Sequence, residues 1–286
     1  MKISGHTRPF AVLGHPIGHT LSPIMHNAAF AELKLDAIYL AFDVRPDHLM
    51  DVLPAMRRMG FRGVNLTIPL KEVAARGIKV LDETARLFGA VNTVQFADFG
   101  MVGHNTDGYG FLKALDEAFG KTVEGDKVFV LGSGGAGRAV SLMAASAGAS
   151  LITLADIDKD RCLAVAAEIK TSFPNVAVEM ANSARDQVKA SLAADLVVQA
   201  TPVGMKKDDK RILGPEAFRA GQRAFDLIYM YPETVFMKAA TEGGAKAVNG
   251  LGMLLHQGAK AFEIWTDIAP AVETMRKALQ DAVYKT

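Results

Sequence analysis

The chain has 286 residues, of which 50% are hydrophobic and 22% are charged, with a formal net charge of +1. This length and apolar content predict two globular domains and argue against disorder, and the balanced charge gives no sign of a nucleic-acid or membrane partner. The only cysteine, Cys162, excludes an internal disulfide framework and favours a reducing compartment. No segment approaches the roughly 20 apolar residues of a transmembrane helix, so we expect a cytoplasmic protein.

Short β-rich runs alternate with amphipathic segments in the first part of the chain. The runs are FAVLG at 10–14, AIYLAF at 37–42 and GVNLTI at 63–68, and the amphipathic segments lie near 21–34 and 48–58. This alternation predicts an α/β domain with a mainly parallel sheet.

The next segments complete the predicted architecture. Residues 91–108 predict two strands joined by a turn at 98–100 and a helix that begins near Asp107. Five strand-like runs follow from residue 127, namely KVFVLG, LITLAD, VAVEMA, DLVVQAT and AFDLIY. They alternate with helical segments, which is typical of a doubly wound, Rossmann-type domain. Two long helices separated by Pro270 end the chain, and we expect them to pack back on the first domain.

The loop GSGGAG at 132–137 fits the pattern GxGxxG between a predicted strand and an Ala-rich helix. Such glycines let the backbone approach a pyrophosphate, whose charge rests on the N-terminus of the following helix. An ordinary tight turn is the alternative for the bare pattern, but this context favours a dinucleotide site. The predicted contacts are Gly132, Ser133, Gly134, Gly135 and Ala136.

The type of dinucleotide depends on the end of the next strand, LITLADID, which reaches Asp156. An acid there can accept hydrogen bonds from a ribose 2′-hydroxyl, whereas a 2′-phosphate would meet a like charge. Asp156 therefore favours NAD over NADP. The alternative is that Asp156 or Asp158 only caps the following helix.

In the first domain, the segment NLTIPLK at 65–71 follows a strand and precedes a helix. Its polar side chains converge at the carboxyl end of the sheet, where open α/β sheets bind ligands. Alone, Lys71 would be a surface lysine and Asp107 a helix cap. Beside a dinucleotide domain they suggest hydride transfer, because that reaction needs an acid or base to move a proton and a lysine near a carboxylate can serve.

Several motifs occur in order along the chain. They are GHPIGHTLSP at 14–23, GVNLTIPLK at 63–71, GAVNT at 89–93, NTDG at 105–108, ATPVGM at 200–205, DLIY at 226–229 and GLGMLLHQ at 250–257. With the glycine loop, they resemble the shikimate dehydrogenase family over essentially the whole chain. The resemblance implies reversible, nicotinamide-dependent reduction of 3-dehydroshikimate to shikimate, a step of aromatic amino-acid biosynthesis.

The resemblance also implies roles for individual residues. The lysine matching Lys71 handles the proton, and the aspartate matching Asp107 positions it. The remaining expected substrate contacts are Thr20, Ser22 and Tyr229 for the carboxylate, Thr67, Asn92 and Gln257 for the ring hydroxyls, and Asn65 beside them. The expected neighbours of the nicotinamide are Thr201, Ile228 and Gly250. The resulting domains are 1–107 for substrate and catalysis, 108–246 for NAD(P), and 247–286 for the returning helices.

The sequence departs from the family pattern at two places. Thr20 stands where serine is common, which keeps the hydroxyl and adds a methyl group. Asp156 and its neighbours replace an Asn-Arg pair that holds the 2′-phosphate in NADP-using members, so NADP remains the alternative from the family norm. Relatives with an Ala-Asp strand end, as at 155–156, often oxidise quinate or shikimate.

These departures leave two alternatives to a biosynthetic shikimate dehydrogenase. One is an NAD-dependent quinate/shikimate dehydrogenase of catabolic role. The other is a non-catalytic dinucleotide sensor, which the presence of both Lys71 and Asp107 disfavours. We expect no metal, because His15, His19 and His26 lack carboxylate or thiol partners in the sequence pattern. We expect a small-molecule substrate and a monomer or homodimer.

Overall fold

A computed structural model describes residues 3–206 and 208–284 of the chain. The strands are β1 (Arg8–Gly14), β2 (Ala37–Asp43), β3 (Gly63–Leu66), β4 (Val80–Leu81), β5 (Thr93–Ala97), β6 (Gly100–His104), β7 (Lys127–Leu131), β8 (Leu151–Ala155), β9 (Ala177–Met180), β10 (Leu196–Gln199), β11 (Arg223–Asp226) and β12 (Lys246–Val248). The helices are α1 (Ser22–Glu32), α2 (Leu49–Arg58), α3 (Leu70–Gly77), α4 (Glu83–Phe88), α5 (Asp107–Phe119), α6 (Gly135–Ser146), α7 (Lys159–Ser172), α8 (Ala184–Ala193), α9 (Val235–Glu242), α10 (Leu251–Thr266) and α11 (Val272–Tyr284). None of these helices is long and apolar enough to cross a membrane.

The chain divides into two compact units. The first comprises residues 1–110 and 254–286, and the second comprises residues 111–253. Most of α10 and all of α11 therefore belong to the first unit. The expectation that the C-terminal helices pack back on the first domain is confirmed.

The first unit contains a six-stranded sheet in the order β2-β1-β3-β5-β6-β4. Strand β1 pairs in parallel with β2 and β3, and β4 pairs in parallel with β6. Strand β5 is antiparallel to both β3 and β6. The predicted α/β class is confirmed, and the sheet is mixed because the β5–β6 hairpin, predicted from the turn at 98–100, enters it between the parallel strands.

Helix α10 packs on this sheet through Trp265. Its indole Nε1 donates a hydrogen bond of 3.0 Å to the carbonyl of Val94, and its ring lies against Phe10 and Tyr39. The indole also covers Gly63 so closely that a Cβ there would lie well inside van der Waals contact. The position therefore requires glycine for packing.

The second unit contains six parallel strands in the order β12-β11-β10-β7-β8-β9. This is the doubly wound, Rossmann-type order that the sequence predicts, with its order reversing between β7 and β10. The sequence indicated five strands, and the sixth is β12. It has only three residues and begins with an exposed lysine, so it lacks the apolar run that marked the others.

Replacing Gly63 with alanine should destabilise the protein by about 1–3 kcal/mol, because the new methyl group displaces a hydrogen-bonded indole. Thermal or urea unfolding measures the effect. The matched control is Gly5→Ala, since a Cβ at Gly5 meets no atom within 4 Å. Equal stabilities of the two variants would contradict the packing described for Trp265.

Candidate active site

Lys71 and Asp107 form an ion pair in the first unit. Lys71 lies in the first turn of α3, which follows β3, and Asp107 is the first residue of α5. The Lys71 Nζ donates a hydrogen bond of 2.7 Å to Asp107 Oδ2, and the side chains are 28% and 13% exposed. The pair is thus partly shielded but open to a small molecule, which suits groups that exchange a proton with a bound substrate.

Amide side chains surround the carboxylate. Asn92 Nδ2 donates to Asp107 Oδ1 at 2.9 Å and lies 3.3 Å from Gln257 Oε1. Asn92 Oδ1 accepts from the backbone N–H of Thr106 at 2.8 Å, which fixes the orientation of the amide. The structure therefore brings Lys71, Asp107, Asn92 and Gln257 together.

Asn65 lies next to Asn92 and is 6% exposed. Its Nδ2 donates to the carbonyl of Asn92 at 3.1 Å and to the hydroxyl of Thr93 at 3.0 Å. Both amide hydrogens thus have partners within the protein. These bonds hold Asn65 against Asn92 and Thr93, and its expected contact with substrate stays a prediction.

The hydroxyl residues of the first domain lie in the segments that follow β1 and β3. Thr20 and Ser22 are joined by a hydrogen bond of 3.3 Å from the Ser22 backbone N–H to Thr20 Oγ1, at the start of α1. Thr67 directly follows β3, and its backbone N–H donates to the carbonyl of Leu13 at the end of β1. Because β1 and β3 are neighbours, Thr67 lies beside the end of β1, from which the chain leads to Thr20 and Ser22.

The expectation that His15 lacks a carboxylate partner is wrong. Its Nδ1 lies 2.6 Å from Asp43 Oδ1, because β1 and β2 are adjacent and both residues come from their carboxyl ends. Among the described residues, no group of three or more His, Cys, Asp or Glu side chains is arranged to hold a metal ion.

In the second unit, the glycine loop connects β7 to α6. Gly132 has a φ of +94°, which favours glycine, and a Cβ at Gly137 would collide with the carbonyl of Gly132. A Cβ at Gly134 or Gly135 would meet no atom within 4 Å, so open space lies above the N-terminus of α6. The loop, which also contains Ser133 and Ala136, fits a pyrophosphate group.

Asp156 follows β8 and binds this loop. Its Oδ2 accepts from the Ser133 backbone N–H at 2.6 Å, and its Oδ1 accepts from the Asp158 N–H at 2.9 Å. Asp158, rather than Asp156, caps α7, and it pairs with Arg161 at 3.1 Å. The carboxylate of Asp156 is therefore held at the strand end, beside the loop where a dinucleotide would bind.

Thr201 lies in the loop after β10, whose conformation depends on Gln199. Gln199 is 2% exposed; its Oε1 accepts from the Thr201 N–H at 2.8 Å and its Nε2 donates to the Val203 carbonyl at 2.6 Å. The Gln199 side chain thus makes the hydrogen bonds that backbone groups make in a regular turn.

Ile228 and Gly250 are adjacent, since the Gly250 N–H donates to the Ile228 carbonyl at 3.2 Å. The loop after β11 is held by buried Asp226, which accepts from the Ile228 N–H at 3.0 Å and from the Thr234 hydroxyl at 2.5 Å. Burial raises the pKa of Asp226 to about 6, although both hydrogen bonds oppose this rise. Burial also raises the pKa of the Tyr229 hydroxyl, which keeps it protonated near neutral pH.

Gln199 and Asp226 are residues that the sequence reasoning missed. Both end strands of the second sheet, and both bond to the loop that follows. The signal in the sequence was a polar residue at the end of an apolar strand run. Such a side chain is buried and needs a hydrogen-bond partner, which the adjacent backbone supplies.

Comparison with known proteins identifies the family. Residues 12–94 match the profile of the shikimate dehydrogenase substrate binding domain, and residues 250–280 match that of the shikimate 5′-dehydrogenase C-terminal domain. The shikimate dehydrogenase (NADP(+)) of Methanothermobacter thermautotrophicus is 41% identical over 97% of this chain and 98% of its own.

Two solved structures are also similar. Shikimate 5-dehydrogenase from Listeria monocytogenes, in complex with shikimate and NAD, has a TM-score of 0.91 and 35% identity over 98% of both chains. Quinate dehydrogenase from Corynebacterium glutamicum, in complex with NAD, has a TM-score of 0.89 and 30% identity over 96% of this chain and 99% of its own. The chain therefore belongs to the shikimate dehydrogenase family of oxidoreductases.

Proposed function

We propose that this protein catalyses reversible hydride transfer between shikimate and NAD, producing 3-dehydroshikimate. The observation that carries the proposal is the hydrogen bond of 2.7 Å between Lys71 and Asp107. Lys71 lies inside the segment that matches the substrate binding domain. We assign substrate binding and catalysis to residues 1–107, cofactor binding to 108–246, and support of the first domain to the helices of 247–286.

Oxidation of a secondary alcohol releases a hydride and a proton. A bound nicotinamide takes the hydride, so a side chain must take the proton. Lys71 takes that proton from the substrate hydroxyl as a neutral amine, after its ammonium has released a proton to solvent, and the ammonium returns the proton when the ketone is reduced. Asp107 holds the Lys71 side chain in place. Asn92 stabilises this arrangement, because its amide donates to the other oxygen of the same carboxylate.

Recognition of shikimate uses the polar residues around the pair. Thr20, Ser22 and Tyr229 bind the substrate carboxylate, and Thr67, Asn92 and Gln257 bind the ring hydroxyls. The clustering of Asn92 and Gln257 beside Asp107 supports this assignment. Buried polar groups reject an analogue that leaves them unpaired, which favours a polyhydroxylated acid.

The cofactor we propose is NAD, bound by the glycine loop 132–136 and by Asp156, with Thr201, Ile228 and Gly250 beside the nicotinamide. The placement of Asp156 against the loop supports this choice, since a 2′-phosphate would meet its charge. The complex of the Listeria relative with NAD also supports it. The name of the Methanothermobacter relative includes NADP(+), which makes NADP the competing cofactor.

Replacing Lys71 with methionine should lower kcat for shikimate oxidation by about 100-fold or more, because it removes the proton carrier while preserving much of the side chain's length. Shikimate affinity, measured by calorimetry in the absence of turnover, should change much less. The matched control is Lys79→Met, at an exposed lysine in the same unit. An unchanged kcat in the Lys71 variant would refute its assigned role.

Wild-type protein should have a kcat/KM at least about 10-fold higher with NAD than with NADP, because of the charge at Asp156. Asp156→Asn should reduce that ratio, mainly by improving NADP use. Asp160→Asn, at an exposed acid in the first turn of α7, is the control for general electrostatic effects. A wild-type preference for NADP would show that Asp156 does not exclude the phosphate.

A second candidate function is NAD-dependent oxidation of quinate as well as shikimate. It is favoured by Asp156 and by the similarity to the quinate dehydrogenase that was solved with NAD. Initial rates with the two acids, measured at equal concentration, decide the matter. Comparable rates would indicate a catabolic role, and absence of quinate turnover would favour a biosynthetic role in the cytoplasm. Turnover of either acid would exclude a non-catalytic sensor.

A further inference from the structure

Tyr39 is a fully buried residue of β2 whose hydroxyl reaches toward the active site of the first unit. The hydroxyl donates a hydrogen bond of 2.6 Å to Asn65 Oδ1. Its backbone is held by Asn27, which donates to the Tyr39 carbonyl and accepts from its N–H, each at 2.9 Å. The ring of His26 stacks on the phenol at a centroid distance of 4.3 Å. The position of the hydroxyl is therefore tightly defined.

Hydrogen bonds continue from Asn65 to the catalytic pair. Asn65 Nδ2 donates to the hydroxyl of Thr93 at 3.0 Å, and that hydroxyl donates to Asn92 Oδ1 at 2.9 Å. Asn92 Nδ2 donates to Asp107 Oδ1 at 2.9 Å. An unbroken chain thus links Tyr39 to the carboxylate that holds Lys71, and we call it the Tyr39 relay. Its members are Tyr39, Asn65, Thr93, Asn92 and Asp107.

Each hydrogen bond of the relay has one direction, because carbonyl and carboxylate oxygens only accept and amide nitrogens only donate. The carbonyl of Asn92 can only accept, so Asn65 must turn its amide nitrogen toward it and its oxygen toward Tyr39. The carboxylate of Asp107 can only accept when ionised, so Asn92 must present nitrogen to it. The hydroxyl of Tyr39 must therefore donate, and it supplies the first hydrogen of the relay.

The surroundings keep Tyr39 in the state that can donate. Burial raises the pKa of the Tyr39 phenol well above its ordinary value, although a hydrogen bond with the Ser22 side chain opposes the rise, so the phenol remains protonated near neutral pH. Burial also lowers the pKa of His26 to about 3, so the stacked imidazole is neutral near neutral pH. No charge from His26 therefore disturbs the relay under physiological conditions.

We propose that Tyr39 is a positioning residue for the reaction, which orients the Asp107 carboxylate through Asn65, Thr93 and Asn92. This inference rests on the proposed function, because the consequence for turnover requires Lys71 and Asp107 to be the catalytic pair. Loss of the Tyr39 hydroxyl leaves Asn65 Oδ1 without its donor inside the protein. Asn65 then shifts relative to the Thr93 hydroxyl, to which it donates, and Thr93 passes the shift to Asn92 Oδ1. Asn92 keeps its bond from the Thr106 N–H, so the change at Asp107 is a displacement of the carboxylate and not a loss of the amide's orientation.

A double-mutant cycle tests the relay. Tyr39→Phe removes its first donor, and Thr93→Val interrupts it in the middle while preserving a β-branched side chain of similar size. We expect each variant to lower kcat/KM for shikimate by about 10-fold, and the double variant by about the same factor, because the second change removes an already broken connection. Independent effects would multiply to about 100-fold, and that result would overturn the proposal.

Gln95→Met is the matched structural control. Gln95 lies on β5 in the same unit and donates to the carbonyl of Ile264 at 2.9 Å, outside the relay. The solvent deuterium isotope effect on kcat should rise in Tyr39→Phe and Thr93→Val, since misplacing Asp107 slows the proton step. It should remain at the wild-type value in Gln95→Met. A loss of thermal stability alone, equal in all three variants, would contradict a positioning role.

A readout without turnover separates this inference from the proposed function. The side-chain amide of Asn92, observed by NMR with ¹⁵N-asparagine and assigned by its loss in Asn92→Ser, should shift in Tyr39→Phe and in Thr93→Val. An unshifted signal in both variants would overturn the relay even if shikimate is turned over. A shifted signal in a protein that fails to oxidise shikimate would support the relay and refute the proposed function.

Discussion

The hydrogen bond between Lys71 and Asp107 is the interaction on which the proposed function of the first unit depends. The two residues are 36 positions apart and come from different helices. They meet because β5 inserts antiparallel beside β3 and pairs Asn65 with Thr93. That register places the neighbouring Asn92 where its amide can bind the carboxylate. The mixed sheet thus brings Asn92 to Asp107, since a different register of β5 would separate the Asn92 amide from the carboxylate.

The second unit follows a related rule. Adjacent parallel strands end in, or just before, polar residues whose side chains bind a loop at the same end of the sheet, either the loop that follows or that of the neighbouring strand. Asp156 binds the glycine loop, Gln199 holds the loop of Thr201, and Asp226 holds the loop of Ile228. These loops contain proposed cofactor contacts, so the buried side chains of Gln199 and Asp226 position backbone rather than touch a ligand. Such support gives a binding loop a defined shape before the ligand arrives.

Much of the fold was predictable from local patterns. Strand-like runs that alternate with helical segments predicted the α/β class and the doubly wound unit, and glycines between a strand and a helix predicted a dinucleotide site. Strand β12 was not predicted, because its three residues are too few to show a periodic pattern. The pairing of His15 with Asp43 was not predicted, because Asp43 lies on a neighbouring strand and no local pattern shows which distant segments pair. For the same reason, the sequence did not predict that the amide nitrogen of Asn65 bonds to Asn92 and Thr93. The site roles themselves came from a family resemblance.

The proposed reaction requires Asp107 to hold Lys71 for proton exchange. Single-turnover oxidation of shikimate by Asp107→Asn, followed by reduced-cofactor absorbance with enzyme in excess, tests it most directly. The amide preserves the size of the side chain and removes its charge, so shikimate should still bind while the rate of hydride transfer falls by about 100-fold or more. A rate equal to that of the wild type would contradict the account.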